Sequence, residues 1–215
     1  MRFRSFLLAA GLFCASAPGL ASPEVSFLSG AFRNAVYKSN DSTSFSTTQF
    51  GAGLRYADRI DGPWYWYAQG ELELINYSKS AAPIVPSNTA NLGLGGGIRY
   101  YFEKLSDRIE PYALASGSFR SEQIATPAAN GYTETDKNGL YYRADFGIRI
   151  SLQKEFFVDF EVPLFDSALF ATEKDTQADF SGEGTKSSSE KQRIELFAKS
   201  AGSFNGMNVA LGYRF

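Results

Sequence analysis

Between positions 140 and 152 apolar side chains occupy every second position without a break: Leu140, Tyr142, Ala144, Phe146, Ile148, Ile150 and Leu152. The intervening positions carry Tyr141, Arg143, Asp145, Gly147, Arg149 and Ser151. A period of two belongs to an extended strand, whose successive side chains point to opposite faces. One face must be kept from water and the other must meet charge. Any fold open to this chain has to supply both environments across a single sheet.

The same alternation recurs along the sequence. Segment 47–56 sets Phe50, Ala52, Leu54 and Tyr56 against Gln49, Gly51, Gly53 and Arg55. Segment 64–77 sets Trp64, Trp66, Ala68, Leu72 and Leu74 against Tyr65, Tyr67, Gln69, Glu71 and Glu73. Segment 91–102 sets Leu92, Leu94, Ile98, Tyr100 and Phe102 against Asn91, Arg99, Tyr101 and three glycines. In 156–165 the apolar residues Phe156, Val158, Phe160, Val162 and Leu164 oppose Asp159 and Glu161. At the end, Met207, Val209, Leu211, Tyr213 and Phe215 oppose Asn208, Ala210, Gly212 and Arg214. Segments 24–37 and 109–120 alternate less cleanly. The expectation is an all-β chain: an antiparallel up-and-down β-barrel of eight strands.

Alternation does not say which face points inward. A soluble barrel lines its interior with the apolar face, whereas a transmembrane barrel turns the same pattern inside out. Connection length favours the transmembrane form. Segments 38–46, 78–90, 121–139 and 166–204 are long and polar, while 57–63, 103–108 and 153–154 are short, so one rim carries loops and the other turns. Aromatic residues gather at the short-turn ends, where Tyr56, Trp64, Trp66, Tyr100 and Phe102 are expected to form an interfacial girdle. The polar face mixes charge with Gly51, Gly53, Gly93, Gly95, Gly97, Gly147 and Gly212, small residues that leave room in a narrow lumen. The expected lumen network is Arg55, Arg99, Arg143, Arg149 and Arg214 against Glu71, Glu73, Asp145, Asp159 and Glu161. Unpaired buried ions are heavily penalised, so these groups are expected to pair and to plug a barrel barely wide enough for side chains.

The last strand, running Met207, Val209, Leu211, Tyr213, Phe215 to a terminal aromatic, resembles the closing strand of bacterial outer-membrane barrels. There such a pattern is the signal read by the barrel-assembly machinery. The architecture is similar to the small eight-stranded barrels of the OmpX, OmpA-barrel and lipid A deacylase kind. The resemblance implies a partner set of outer-membrane lipids, the assembly machinery during insertion, and an extracellular partner met through the loops. At the other end, Arg2 and Arg4 precede an apolar run over 6–17, too short for a membrane helix of about twenty residues. With small residues before position 22, residues 1–21 read as a Sec-type signal peptide and 22–215 as the barrel. Cys14 raises a lipoprotein alternative, which Phe13 opposes by standing where a small residue is needed. Removing 1–21 takes away the single cysteine and two arginines, leaving a thiol-free acidic chain suited to the outer membrane of a Gram-negative bacterium. That balance argues against nucleic acid as a partner.

Segment 166–204 is too long for an idle turn. It reads as a mobile extracellular loop around the polar 181–189 stretch, whose flanks Ala168-Leu169-Phe170 and Ile194-Glu195-Leu196-Phe197 could pair as a hairpin extension. Its acids Asp166, Glu173, Asp175, Asp179 and Glu183 lack the spacing of a calcium loop, so no metal is expected. No cofactor is expected either. The glycines at 93–97 lie inside a strand with no helix after them, and in Gly184-Thr185-Lys186-Ser187 a Thr separates Gly from Lys. The chain has no histidine, whereas the enzymes among the barrels it resembles use one as base or partner, and a hydroxyl nucleophile needs such a base. A non-enzymatic scaffold that displays surface loops is therefore expected. The alternatives are a narrow channel for small or apolar solutes and a soluble periplasmic ligand-binding barrel.

Overall fold

In a computed structural model the described residues are 23–29, 33–39, 43–79, 88–128, 131–179, 188–194 and 207–215. The expected signal segment 1–21 lies outside them. The strands are β1 (Glu24–Ser29), β2 (Arg33–Ser39), β3 (Thr43–Asp61), β4 (Trp64–Lys79) and β5 (Thr89–Tyr101). They continue as β6 (Ile109–Ala128), β7 (Gly131–Ser151), β8 (Phe156–Asp179), β9 (Ser188–Arg193) and β10 (Asn208–Arg214). Every pairing is antiparallel. Order around the sheet is β1-β10-β8-β7-β6-β5-β4-β3, and β1 also pairs with β3, so the sheet closes into a ring. β2 continues the wall beside β3, and β9 continues it beside β8.

The two faces of this ring carry opposite chemistry. Phe50, Leu54, Leu72, Leu74, Leu92, Leu94, Ile98, Phe119, Leu140, Phe146, Ile148, Phe160, Val162 and Leu211 are exposed on the outside. Arg55, Arg99, Arg149, Asp159 and Glu161 are buried on the inside. The short-turn rim is continuous. Tyr101 N–H donates to the Pro63 carbonyl, Ser151 N–H to Arg108, Arg214 N–H to Glu155 and Phe215 N–H to Pro23. The tightest of these turns, between β3 and β4, places Gly62 at φ 51°, a left-handed conformation that favours glycine.

Several strands run well past the expected ends. Segment 121–139 was expected to be a loop, but β6 and β7 stay paired from Ser121↔Asn138 to Ala128↔Gly131. The final loop is also partly strand. β8 continues to Asp179 against β7, and β9 pairs Ser188–Arg193 with Ala171–Thr176. The hairpin there is thus made by polar residues. Ala168 and Phe170 pair instead with β7, and residues 195–197 lie outside the described residues. The physical reason is cross-strand charge. Lys137, Glu173 and Lys191 stand opposite one another in register across β7 to β9, and so do Asp136, Lys174 and Glu190. Opposite charges facing across a ladder stabilise pairing, yet they give no apolar period to read in the sequence.

The faint alternation of segment 24–37 has a local cause. Ser26 pairs with Arg55 and Ser29 with Ala52, but Arg33 pairs with Gln49, so β1 and β2 together hold one residue more than β3. That extra residue reverses the parity between β1 and β2. Segment 109–120 is weak for another reason: its outer face holds Ala113, Ala115 and Gly117, while its inner face holds Tyr112 and Leu114.

Inside the ring, aromatic rings lie flat on cross-strand glycines. Tyr112 covers Gly147, its ladder partner, and Phe157 covers Gly212. A methyl at Gly147 would overlap the Tyr112 ring, which is fully buried and cannot swing away. Gly147→Ala is therefore expected to destabilise the folded chain by about 1–3 kcal/mol, the usual cost of overpacking. Urea unfolding measures it, and an unchanged midpoint would refute the close-packed contact.

Candidate functional site

The inner face of the lower half of the ring is filled by one connected network of ions and aromatic rings. Glu161 on β8 accepts from both terminal nitrogens of Arg55 on β3, the second at 3.0 Å. It also accepts from the Tyr112 hydroxyl at 2.9 Å and from Arg99 at 3.4 Å. Two residues along β8, Asp159 takes a fork from Arg149, with Nε at 2.8 Å and Nη2 at 2.9 Å. Arg149 then donates through Nη1 to Glu24 at 2.7 Å, and Arg214 reaches the same oxygen from Nη2 at 2.7 Å. Arg99 lies between these groups, with Nη1 3.5 Å from Asp159 and 3.7 Å from Glu24.

Aromatic faces complete the solvation of these cations. The Arg149 guanidinium sits 3.6 Å from the Phe157 ring centroid and 5.0 Å from that of Tyr101. Arg99 lies over Tyr112 at 4.5 Å, and Arg55 over Tyr67 at 4.8 Å. A guanidinium is planar and weakly hydrated, so it tolerates this mixture of carboxylate edges and ring faces better than an ammonium would. Arg99 and Glu161 each retain 1% exposure. Tyr65, Tyr67, Tyr101, Tyr112 and Leu114 pack as one buried cluster on the same inner face.

A second tier lies above. Arg143 on β7 donates from Nε to Asp145 Oδ1, two residues along, at 2.6 Å, and its Nη2 stands at the same distance from that oxygen as an ion-pair contact. Arg120 on β6 donates to Asp166 on β8 at 2.6 Å, and its Nε donates to Ser118 at 3.0 Å. On the opposite wall Glu73 accepts from Asn91 at 3.2 Å, and Glu71 accepts from Gln69, which in turn accepts from Arg55.

Of the ten residues expected in the lumen, Arg55, Arg99, Arg149, Asp159, Glu161 and Arg214 join the lower network, while Arg143, Asp145, Glu71 and Glu73 belong to the upper tier. Arg214 is half-buried at the rim and Glu71 is partly exposed. The sequence reading missed Glu24, Arg120, Glu122, Lys137 and Asp166, all buried on the inner face. Glu24 sits in the strand whose parity shifts, Arg120 in the strand with two mixed faces, and the other three in segments expected to be loops. Asp166, grouped beforehand with the acids of the final loop, is an ion-pair partner of Arg120. Among the described residues no group of His, Cys, Asp or Glu is arranged to hold a metal ion.

The aromatic set lies on the outer face near the short turns. Tyr56 contacts Trp66, Trp64 contacts Tyr100, Tyr100 contacts Phe102, and Phe102 contacts Phe146. On the far side of the ring Phe156, Tyr213 and Phe215 form a further chain of contacts. Met207, Leu211 and Phe215 of the last strand are exposed on the same outer face.

No family model matches the chain, and no curated protein matches it. Among solved structures it is similar to the outer membrane channel DcaP of Acinetobacter baumannii, at 10% identity and a TM-score of 0.21, over 86% of this chain. The match spans 63% of that channel's length. The chain is an all-β antiparallel ring on its own strand pairing.

Glu161→Gln removes the one charge shared by Arg55, Arg99 and Tyr112, leaving a guanidinium buried without compensation. It is expected to destabilise by roughly 3–5 kcal/mol, whereas Glu71→Gln at a partly exposed site is expected to lose about 0.5–1.5 kcal/mol. Equal losses in denaturant unfolding would refute the network as drawn.

Proposed function

We propose that this chain is an outer-membrane β-barrel whose lumen is closed by side chains, acting as a non-enzymatic scaffold that holds charged hairpins outside the membrane. Reading β1 with β2 and β9 with β10 as single strands gives eight. The observation that carries the proposal is the inverted polarity of the ring. An apolar belt this extensive is not kept in water by a soluble monomer, whose exposed apolar patches rarely exceed a few hundred Å². Lipid requires such a belt, and it also requires a closed sheet, because it offers the backbone no hydrogen-bond partner. The outward apolar run on β7 from Leu140 to Ile150 matches the roughly nine to eleven residues that a tilted strand uses to cross. The aromatic chain near the short turns fits one interface, and the charge-paired continuation of β6 to β9 fits water beyond the other.

In this reading the partners are outer-membrane lipids, the assembly machinery during insertion, and a surface partner met by the β6–β9 extension. The place is the outer membrane of a Gram-negative bacterium, reached by export behind the 1–21 signal. An apolar ligand inside is disfavoured by a lumen lined with arginine and carboxylate. A phosphate backbone outside is disfavoured by mixed, net acidic charge. The absence of histidine disfavours the chemistry of the known barrel enzymes.

Leu94→Arg would place a charge in the middle of the proposed lipid face, and the expected cost is about 2–4 kcal/mol in vesicles. Leu105→Arg, in the short turn between β5 and β6, is expected to cost little. Similar small effects at both sites would count against insertion.

Planar-bilayer recording tests the closed lumen against the alternative of a narrow channel. Neither the parent chain nor Arg143→Ala is expected to show a large conductance, although the variant should unfold more readily. A folded Arg143→Ala barrel that conducts strongly would make Arg143 part of a gate.

A further inference from the structure

Above Leu92 and Ser121, the last pair joining β5 to β6, the upper part of β6 leaves its neighbour. Side chains of β5 itself, and one from β4 behind it, take over the backbone bonds that the ladder gives up. Gln123 N–H donates to the Asn91 side-chain oxygen at 2.7 Å, and Thr89 Oγ1 donates to the Gln123 carbonyl at 3.1 Å. Ala125 N–H donates to the Tyr77 hydroxyl at 2.8 Å, reaching past β5 to β4. β2 also approaches β6, although β3, β4 and β5 separate them around the ring, so the approach is made across the mouth. Upper β6 thus leans over the lumen, and beneath it Ile75 and Asn91 are fully buried.

Glu122 is the first inward-facing residue beyond the point of departure. It is 3% exposed, and neither carboxylate oxygen has a hydrogen-bond partner. The charged and titratable groups around it are Arg120 on its own strand, Lys137 and Tyr141 on β7, Asp166 and Glu173 on β8, and Glu73 on β4. Arg120 is already engaged by Asp166, and Lys137 stands between Glu122 and Glu173 in the ladder. A neutral carboxyl can remain in such a place, but an ionised one without donors is strongly disfavoured.

We propose that the edge formed by upper β6, Glu122 to Thr126, is a lid over the lumen mouth, shut while the Glu122 carboxyl holds its proton and lifted when that carboxyl ionises. Upper β6 swings with the strands laddered to it, so lifting leaves the β6–β7, β7–β8 and β8–β9 ladders intact and breaks the side-chain bonds of β6 to Asn91, Thr89 and Tyr77. It brings the carboxylate to water. Burial raises the Glu122 pKa above the ordinary carboxyl value against the pull of Arg120 and Lys137, with Asp166 and Glu73 adding to the rise. A group whose pKa is raised in the shut form stabilises that form below the raised value, and the contribution is lost as pH climbs through it. The lid therefore opens toward higher pH. The device is independent of whether the lumen below conducts.

Thiol labelling of the full-length chain in vesicles, in a Cys14→Ser background, tests this. Ala125→Cys reports the covered side of the lid and Thr126→Cys an exposed control, so their rate ratio cancels the thiol's own titration. Followed from about pH 5 to about pH 8, the ratio is expected to rise, by at most about tenfold per pH unit, the limit for one linked proton. With Glu122→Gln added, the ratio should stay low throughout. A flat ratio in the Glu122 chain, or a rise that survives Glu122→Gln, overturns the proposal. If Ala125→Cys does not fold, hydrogen exchange on the unsubstituted chain gives the answer. Protection of the Gln123 and Ala125 amides should fall over the same range and hold in Glu122→Gln, and protection that does not change with pH overturns the lid.

Discussion

Closure of the ring between β1 and β10 is the constraint on which the other features depend. Val25↔Tyr213, Phe27↔Leu211 and Ser29↔Val209 join the two ends of the described chain, and the same β1 residues pair with β3 on the other side. An open sheet would present a row of unpaired N–H and C=O groups, tolerable in water but not in an apolar surround. The seam is also where the charges converge. Glu24 pairs with Arg214 across it, and Arg149 crosses from β7 to the same carboxylate. Backbone closure and the ion network are therefore coupled: if the seam opens, Arg149 and Arg99 lose Glu24.

Charge in the interior follows from the inversion of the faces rather than from any gain in stability. Replacing a buried ion pair with apolar residues is often neutral or favourable, so the pairs do not by themselves explain why the ring is stable. They do make wrong registers expensive. A slip of one residue at β8 would turn Asp159 and Glu161 outward and leave Arg55, Arg99 and Arg149 without carboxylates. Glycines under aromatic rings act in the same sense, because Tyr112 and Phe157 can lie flat only where the opposing strand offers Gly147 and Gly212. Both devices select one register out of several that hydrophobic alternation alone would accept.

Where one face is apolar and the other polar, the strand could be read directly, as in β3, β4, β5 and β7, and the inward set from Arg55 to Glu161 followed from parity. The reading lost its signal where that contrast fades. In β6 both faces mix small and aromatic residues, which concealed Arg120. In β1 and β2 an extra residue reverses parity and concealed Glu24. Beyond Ser121 and Asn138 neither face keeps an unbroken apolar row, and period-two hydrophobicity vanishes although the ladder does not. Opposed charges such as Lys137 with Glu173 and Lys174 with Glu190 were in plain view, but matching them requires a register that the sequence does not supply.

That loss of signal has a physical meaning of its own. A strand leaves an apolar environment at the height where its outward side chains turn polar, and on β6, β7 and β8 this change falls just past Phe119, Leu140 and Phe170. Ser121, Asn138 and Thr172 follow, and then the charged rows begin. The extension is thus attached to the apolar belt without a flexible joint, since the same strands run through both. Any force on the outer hairpin is carried by backbone ladder into the ring. β6 is the exception, because it parts from β5 at this height and substitutes the side chains of Asn91, Thr89 and Tyr77 for a neighbouring strand. A sheet laddered from β6 to β9 but released from β5 above Ser121 can move in one direction, with its β6 edge swinging toward and away from the mouth.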